Sequence, residues 1–310
     1  MFSLPVISQI LWTSLATSSY FVLFALAFAL VLKVNKVFNF AQAGMMTAGF
    51  YAAYVVTRVL ELGGAAGFAG AILGAMALSF LLERYGFRLL RLRRATPMFV
   101  FIFTLVASQF ITYAMTLVFG TWPTTIFPTI FWPVTLVGGI AISAWDLPAM
   151  GATIAVLVGL WAFLRFTRFG QFMIAVADNG DLAELYGIRK DRVLMGTMLI
   201  AGAICGVGMF LYGTRAQVQP AAATELMLFA VAATILGGIG NIWGAALAAI
   251  VLGVVQNGSI LFIPSAWQGF MLFAFLFFAI VLFPQGFHFP ESRRALKKMK
   301  AAPAASGAGS

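Results

Sequence analysis

Carboxamides stand close together early in this chain, in Asn35-Lys36-Val37-Phe38-Asn39-Phe40-Ala41-Gln42-Ala43-Gly44. An amide both donates and accepts hydrogen bonds, so Asn39 and Gln42, set beside Phe40 and Gly44, could bind a neutral solute in passage. They could equally cap the free N–H groups of a following helix. A second candidate is Leu236-Gly237-Gly238-Ile239-Gly240-Asn241-Ile242-Trp243-Gly244-Ala245, where small residues surround a turn between two apolar runs. A third lies within 165–193. Asp178-Asn179-Gly180-Asp181 offers helix-start chemistry, Leu182-Ala183-Glu184-Leu185-Tyr186 continues it, and Gly187 stops it. This pattern predicts a short amphipathic helix with Leu182, Leu185 and Tyr186 free to enter a partner's groove. The alternative is a solvated loop.

Covalent and metal chemistry have little to work with. His288 is the only histidine, Cys205 the only cysteine, and nine acidic residues sit mostly between apolar runs. That leaves no metal-ligand cluster, no nucleophile–histidine pair and no intrachain disulfide. No phosphate-binding Gly-x-x-x-x-Gly-Lys-Ser/Thr loop occurs, so the chain is not expected to hydrolyse ATP itself. No cofactor is implied.

The elements that must carry these motifs are membrane spans. The chain has 310 residues, 62% hydrophobic and 9% charged, with a mean hydropathy of +1.01. Soluble domains carry about a quarter charged residues. Nine charge-free apolar runs occur, at 7–32, 43–57, 65–82, 98–119, 151–164, 194–211, 226–239, 243–255 and 267–283. Crossing the hydrocarbon takes about 20 helical residues, fewer where helices are short or broken. The expectation is an all-α polytopic integral membrane protein with about eight or nine transmembrane helices. The pair around Gly237–Asn241 reads as two short helices or as one broken element. Residues 1–290 are expected to form one transmembrane domain, with a cytoplasmic loop at 165–193. Residues 291–310 form a tail, basic at first and then disordered. The first run lacks the basic start and cleavage site of a signal peptide and is expected to be a retained span.

Nine crossings with the N-terminus outside place 17 of the 19 lysines and arginines in cytoplasmic segments; Arg58 and Arg215 are the exceptions. The positive-inside rule favours that orientation, and it explains the net charge of +10 without nucleic acid. The longest outer loop, 120–147, carries Trp122, Trp132 and Trp145, with Asp146 its only charge. Its runs 134–137 and 140–143 around Gly138-Gly139 predict a small periplasmic β-hairpin. The tryptophans either lie at the bilayer interface or contact a partner. The runs contain no Asp, Glu, Lys, Arg or His, which argues against ion-coupled transport, although backbone carbonyls can still bind Na⁺. The pairs Gly70/Gly74 and Gly202/Gly206 predict close helix approach.

Taken together and in order, three motifs resemble the permeases of hydrophobic (branched-chain) amino-acid ABC importers, the Liv type. Asn39-Phe40-Ala41-Gln42-Ala43-Gly44 is similar to the family's early Asn-Phe-Ala-His-Gly stretch, which favours the H-like over the M-like subunit. Leu236–Ala245 is similar to its late Leu-Gly-Gly-x-Gly-Ser stretch, and 175–188 to its cytoplasmic coupling region. Gln42 stands where a His is usual and Asn241 where a Ser is usual. The resemblance implies a translocation path near Asn39, Phe40, Gln42, Gly44, Gly237, Gly238, Gly240 and Asn241. It implies ATPase coupling through Asp178, Asp181, Leu182, Ala183, Glu184, Leu185, Tyr186 and Gly187. The implied partners are two cytoplasmic ATPases, a second, M-like permease and a periplasmic solute-binding protein, all at a bacterial inner membrane. The implied cargo is a branched-chain amino acid, or a relative such as urea, a short amide or a small carboxylate. A stand-alone channel or secondary carrier is the rival reading; it would transport without ATP or partners.

Overall fold

The computed structural model describes residues 4–127, 134–137 and 140–261, together with 264, 267, 269, 270, 274, 277, 278 and 281. Most of the run 267–283, His288, Trp132, the Gly138-Gly139 turn and the tail lie outside the described residues.

Helix α1 (Leu4–Asn35) is the axis of the bundle. Its most apolar stretch is 89% buried, against 17% for α6 (Asp146–Phe166). The sequence shows why both can be helices of similar hydropathy. In lipid, an apolar residue is stable whether it faces hydrocarbon or protein, so hydropathy alone does not separate core from rim. What marks α1 as central is small polar residues at its contacts. Asn257 Nδ2 donates to Thr17 Oγ1 at 2.7 Å, and Thr153 Oγ1 donates to the Ser19 carbonyl at 3.0 Å. The Ser18 side chain occupies the space a Cβ on Gly253 would fill.

After α1 the chain turns back into the bundle and begins α2 (Gln42–Tyr54), which ends in a π-helical turn, Val55–Val59. Helix α3 (Gly63–Leu81) continues through a second π turn, Leu82–Phe87, into α4 (Arg88–Leu92). Helix α5 (Pro97–Phe119) starts with the proline at its first turn, where a missing N–H costs nothing. Strands β1 (Val134–Val137) and β2 (Ile140–Ser143) pair antiparallel, with Val134 opposite Ser143. Helix α6 follows. Asp146, read from sequence as a loop charge, is its first residue.

Between α6 and the next long helix the sequence predicts one short helix; the structure has two. The first, α7 (Arg168–Asp178), is capped by Thr167, whose hydroxyl accepts from Gly170 N. Then comes α8 (Gly180–Leu185). The 11-residue α7 escapes a search for long apolar runs because it is amphipathic, burying Gly170, Met173, Val176 and Ala177 on one side. The most apolar stretch of helix α9 (Lys190–Gly213) is 72% buried. The last described helices, α10 (Ala222–Leu236) and α11 (Ile242–Gly258), are separate elements joined by a turn.

Glycine pairs set the closest approaches. Gly70 and Gly74 of α3 face Val56 and Ala52, while Gly202 and Gly206 of α9 face Ser79 and Ala71. Helix α3 is thus held between its neighbours by backbone-distance contacts that any larger side chain would push apart. Five of the described helical segments are long and apolar enough to cross a bilayer, with α10 and α11 shorter apolar helices beside them. The chain is an all-α, multi-pass membrane protein. One end of the bundle gathers Lys33, Arg84, Arg88, Arg165 and the start of α9 and is termed the basic end; the opposite end carries the hairpin.

Candidate functional site

The first interruption sits deep. Gln42 Nε2 donates to the Phe24 carbonyl at 3.1 Å. Phe24 lies 11 residues before the end of α1, so α2 begins about 16 Å inside the level where α1 ends, at ~1.5 Å per residue. Residues 36–41 therefore run as irregular backbone at membrane depth, which is stable only when protein covers it. It is covered: Thr104 Oγ1 donates to the Phe38 carbonyl at 3.2 Å. The Phe40 ring meets Phe101 edge-on at 5.5 Å.

Neither amide caps α2. Its N-cap is Ala41, without a side-chain bond. Asn39 instead directs Nδ2 at the Met198 sulfur, 3.8 Å away. Both amides are fully buried, and Asn39 Oδ1 and Gln42 Oε1 find no hydrogen-bond partner. An unpaired buried acceptor costs about 1–3 kcal/mol; here two lie in one interruption of the bundle. Gly44 has a packing reason, since the Ile111 side chain of α5 takes the place of its Cβ.

The second interruption is of another kind. Gly238 (φ +93°) and Gly240 (φ +89°) take left-handed backbone that lets α10 reverse into α11. Asn241 caps α11, its side chain accepting from Gly244 N at 3.0 Å. Gly237 lies against Gly244 and Ala245 backbone. Among the described residues, no hydrogen bond or ring contact joins Asn39, Phe40 or Gln42 to Gly237–Asn241. The residues expected along one path fall into two separate clusters.

At the basic end, Asn179 caps α8 by accepting from Leu182 N at 3.0 Å. Gly187 (φ +82°) ends it, with Ile188 N reaching back to the Ala183 carbonyl at 3.0 Å. Asp178 belongs to α7 as its last residue, and Ala183 is buried. Leu185 and Tyr186 are 84% and 81% exposed, with Leu182 half-exposed. Lys190 holds Asp181 at 3.1 Å, and the neighbouring Asp191 meets Arg91 at 3.4 Å. Arg91 in turn pairs with buried Glu83 at 2.5 Å. Ion pairs thus run from α8 through the start of α9 to the α3–α4 segment. Sequence reading did not join Arg91 to Asp191, because partners 100 positions apart leave no local signal.

At the hairpin end Asp146, 2% exposed, is fully engaged. Its carboxylate accepts from Trp12 Nε1 at 3.0 Å, Ser143 N at 3.2 Å and Arg215 Nη1 at 2.6 Å. Gln9 completes the attachment. Its amide donates to the Ala141 carbonyl at 3.2 Å and accepts from Ala141 N at 2.6 Å, as a strand would. Trp122 is 82% exposed.

A buried axial helix, an irregular segment at membrane depth and an exposed helical knob at one end mark the chain as a multi-pass membrane protein. Among the described residues no group of three metal-ligating side chains occurs. The profile of the branched-chain amino acid transport system permease component matches residues 10–280, and the chain belongs to that family. It is 26% identical over 292 residues to the high-affinity branched-chain amino acid transport system permease protein LivH of Salmonella typhimurium, covering 90% of this chain and 94% of that one. It is 25% identical to the corresponding protein BraD of Pseudomonas aeruginosa, over 90% of this chain and 94% of the relative. A shorter match, 31% over 106 residues, covers 32% of this chain and 29% of the fructose import permease protein FrcC of Rhizobium meliloti. The chain is accordingly a transport permease of the inner membrane rather than an enzyme, and a permease of this kind works with an ATPase and other transporter subunits.

Proposed function

We propose that this chain is the H-like membrane subunit of an ABC importer that carries a branched-chain amino acid or a related small solute such as urea, a short amide or a small carboxylate. Two cytoplasmic ATPases, a second Liv-type permease and a periplasmic binding protein complete it, and the N-terminus lies on the periplasmic side. The observation that carries this reading is α8. A capped, glycine-terminated helix of six residues leaves Leu185 and Tyr186 almost fully exposed at the end of the bundle where the arginines gather. Burying two such side chains in a partner's groove is favourable by a few kcal/mol in area terms, roughly 1.5–3 each. Ion pairs from Asp181–Lys190 to Asp191–Arg91–Glu83 give a thrust on that helix a route into the spans.

The mechanism is alternating access. ATP-driven closure of the partner subunits moves α8, the spans tilt, and the buried interruption at Asn39–Gln42 opens to the solute. With two acceptor oxygens unpaired in the closed form, a solute N–H or ammonium gains bonds there that the resting bundle does not supply. Partners shift the equilibrium only by binding one state better. Glu184→Arg and Gly187→Pro are each expected to abolish ATP-dependent uptake in vesicles while leaving membrane insertion intact. Full uptake by both variants would remove α8 from the coupling path.

A further inference from the structure

The basic end holds a cleft of about 650 Å³ between the π turn after α3 and the start of α9. Its mouth carries Arg84, Arg88, Arg189, Lys190 and Arg192, against Glu184 and Asp191. Among the described residues Arg84, Arg189 and Arg192 make no ion pair, Lys190 is paired with Asp181, and Arg88 meets Asp191 only at 3.8 Å. The buried Arg88 Nε is the atom in that 3.8 Å approach, with no acceptor within hydrogen-bond reach. Cations gathered this closely repel one another unless an anion lies between them.

The floor of the same cleft is apolar, made by Phe169, Met195, Gly196 and Leu199. Met195 and Leu199 lie one turn apart on α9 and lead from the charged mouth toward the membrane interior. The Phe169 ring fills the space where a Cβ on Gly196 would stand, which seals the floor. On the other flank of the arginine-bearing segment, Leu81 and Tyr85 border an apolar groove of about 450 Å³ shared with Phe103 and Phe110. A small inorganic anion would use the mouth and leave the floor wet.

We propose that this cleft binds an anionic phospholipid, its phosphodiester between Arg84, Arg88 and Arg192 and an acyl chain along Met195 and Leu199. Guanidinium forks match phosphate oxygens in pairs, and basic pockets between spans at the membrane surface suit lipid headgroups. The site rests on the chain's membrane placement and on neither the orientation nor the cargo proposed above. It adjoins α8 through Glu184, so the bound lipid would share a wall with the coupling segment.

The test is native mass spectrometry of the full-length chain, extracted with its associated subunits, delipidated, and offered phosphatidylglycerol and phosphatidylcholine together. The expected result is a preference for phosphatidylglycerol that Arg84→Gln/Arg192→Gln lowers about tenfold, that the corresponding double lysine variant, keeping the charge without the forks, lowers by less, and that Arg58→Gln at the opposite end leaves unchanged. If the neutralised variant does not fold, the competition between the two lipids on the unaltered chain decides by itself. Equal retention of both lipids overturns the site. Displacement of phosphatidylglycerol by millimolar inorganic phosphate overturns the lipid in favour of a free anion. Unchanged lipid preference in the neutralised variant, with loss of a co-purifying subunit, assigns the arginines to protein contact instead.

Discussion

The two ends of the bundle use charge in opposite ways. At the hairpin end one carboxylate, Asp146, is buried and meets a partner in each direction: Trp12 from α1, Ser143 from β2 and Arg215 after α9. At the basic end Glu83 is also buried, against Arg91, but the acidic side chains that reach α8 and α9 are exposed, 57% for Asp191 and 92% for Asp181, and cations outnumber them. A buried, fully bonded charge fixes geometry, because any movement leaves it desolvated and unpaired. Exposed pairs re-form with water or with another protein at little cost. The hairpin end is therefore braced, and the basic end is arranged to be rearranged. Under the proposed mechanism, with thrust arriving at the basic end, that asymmetry supplies one end to move and one against which the movement works.

The largest stability effect should come from the braced end. Asp146→Ala removes three hydrogen bonds and leaves Arg215 facing an apolar neighbourhood. Arg215 is about a third exposed and can recover some hydration, which keeps the loss near the low end of the buried-pair range, about 2–3 kcal/mol. Thermal or chemical unfolding in micelles should show it. Arg215→Ala added to Asp146→Ala should cost less than the two single losses summed. Strict additivity would mean that Asp146 is held by Trp12 and Ser143 alone.

Asp191→Asn tests the other end. Asp191 meets both Arg88 and Arg91, yet it is more than half exposed, so unfolding should shift by no more than about 1 kcal/mol. Uptake should fall several-fold, because the link from α9 to the α3–α4 segment is cut while Arg91 keeps Glu83. A large loss of stability with normal uptake by the survivors would reverse the roles assigned to the two ends.

Much of this was legible in the sequence, and the parts that were not share a cause. Apolar runs located the five described helices long enough to cross a bilayer and the shorter α10 and α11, because helices in lipid must satisfy their own backbone. Gly70/Gly74 and Gly202/Gly206 marked close approaches by spacing alone. The different jobs of similar amides were not legible. Asn241 is a helix cap, whereas Asn39 and Gln42 cap nothing and lie buried beside Met198 and Phe24. Asn241 is followed by an uninterrupted apolar helix. The stretch after Asn39 could start a helix at the surface or, as it does, inside the bundle; only tertiary packing chooses. The Asp146–Arg215 pair joins residues 69 apart, and α7 hid between two longer runs because it is short and interrupted by polar residues.

The smallest effect belongs to the outermost pair. Asp181 is 92% exposed, and its bond to Lys190 spans 3.1 Å at the rim of the cleft. Water replaces such a bond almost without loss, so Asp181→Asn should leave unfolding unchanged within error. Asn179 still caps α8 and Gly187 still ends it, so the helix keeps its shape. What changes is its tether to α9. If α8 passes motion on through packing, with buried Ala183 against the bundle, uptake stays near normal in Asp181→Asn. If the ion pair carries the motion, uptake falls about as far as in Asp191→Asn. Measured side by side in the same vesicles, the two asparagine variants therefore separate a coupling helix that pushes from one that pulls.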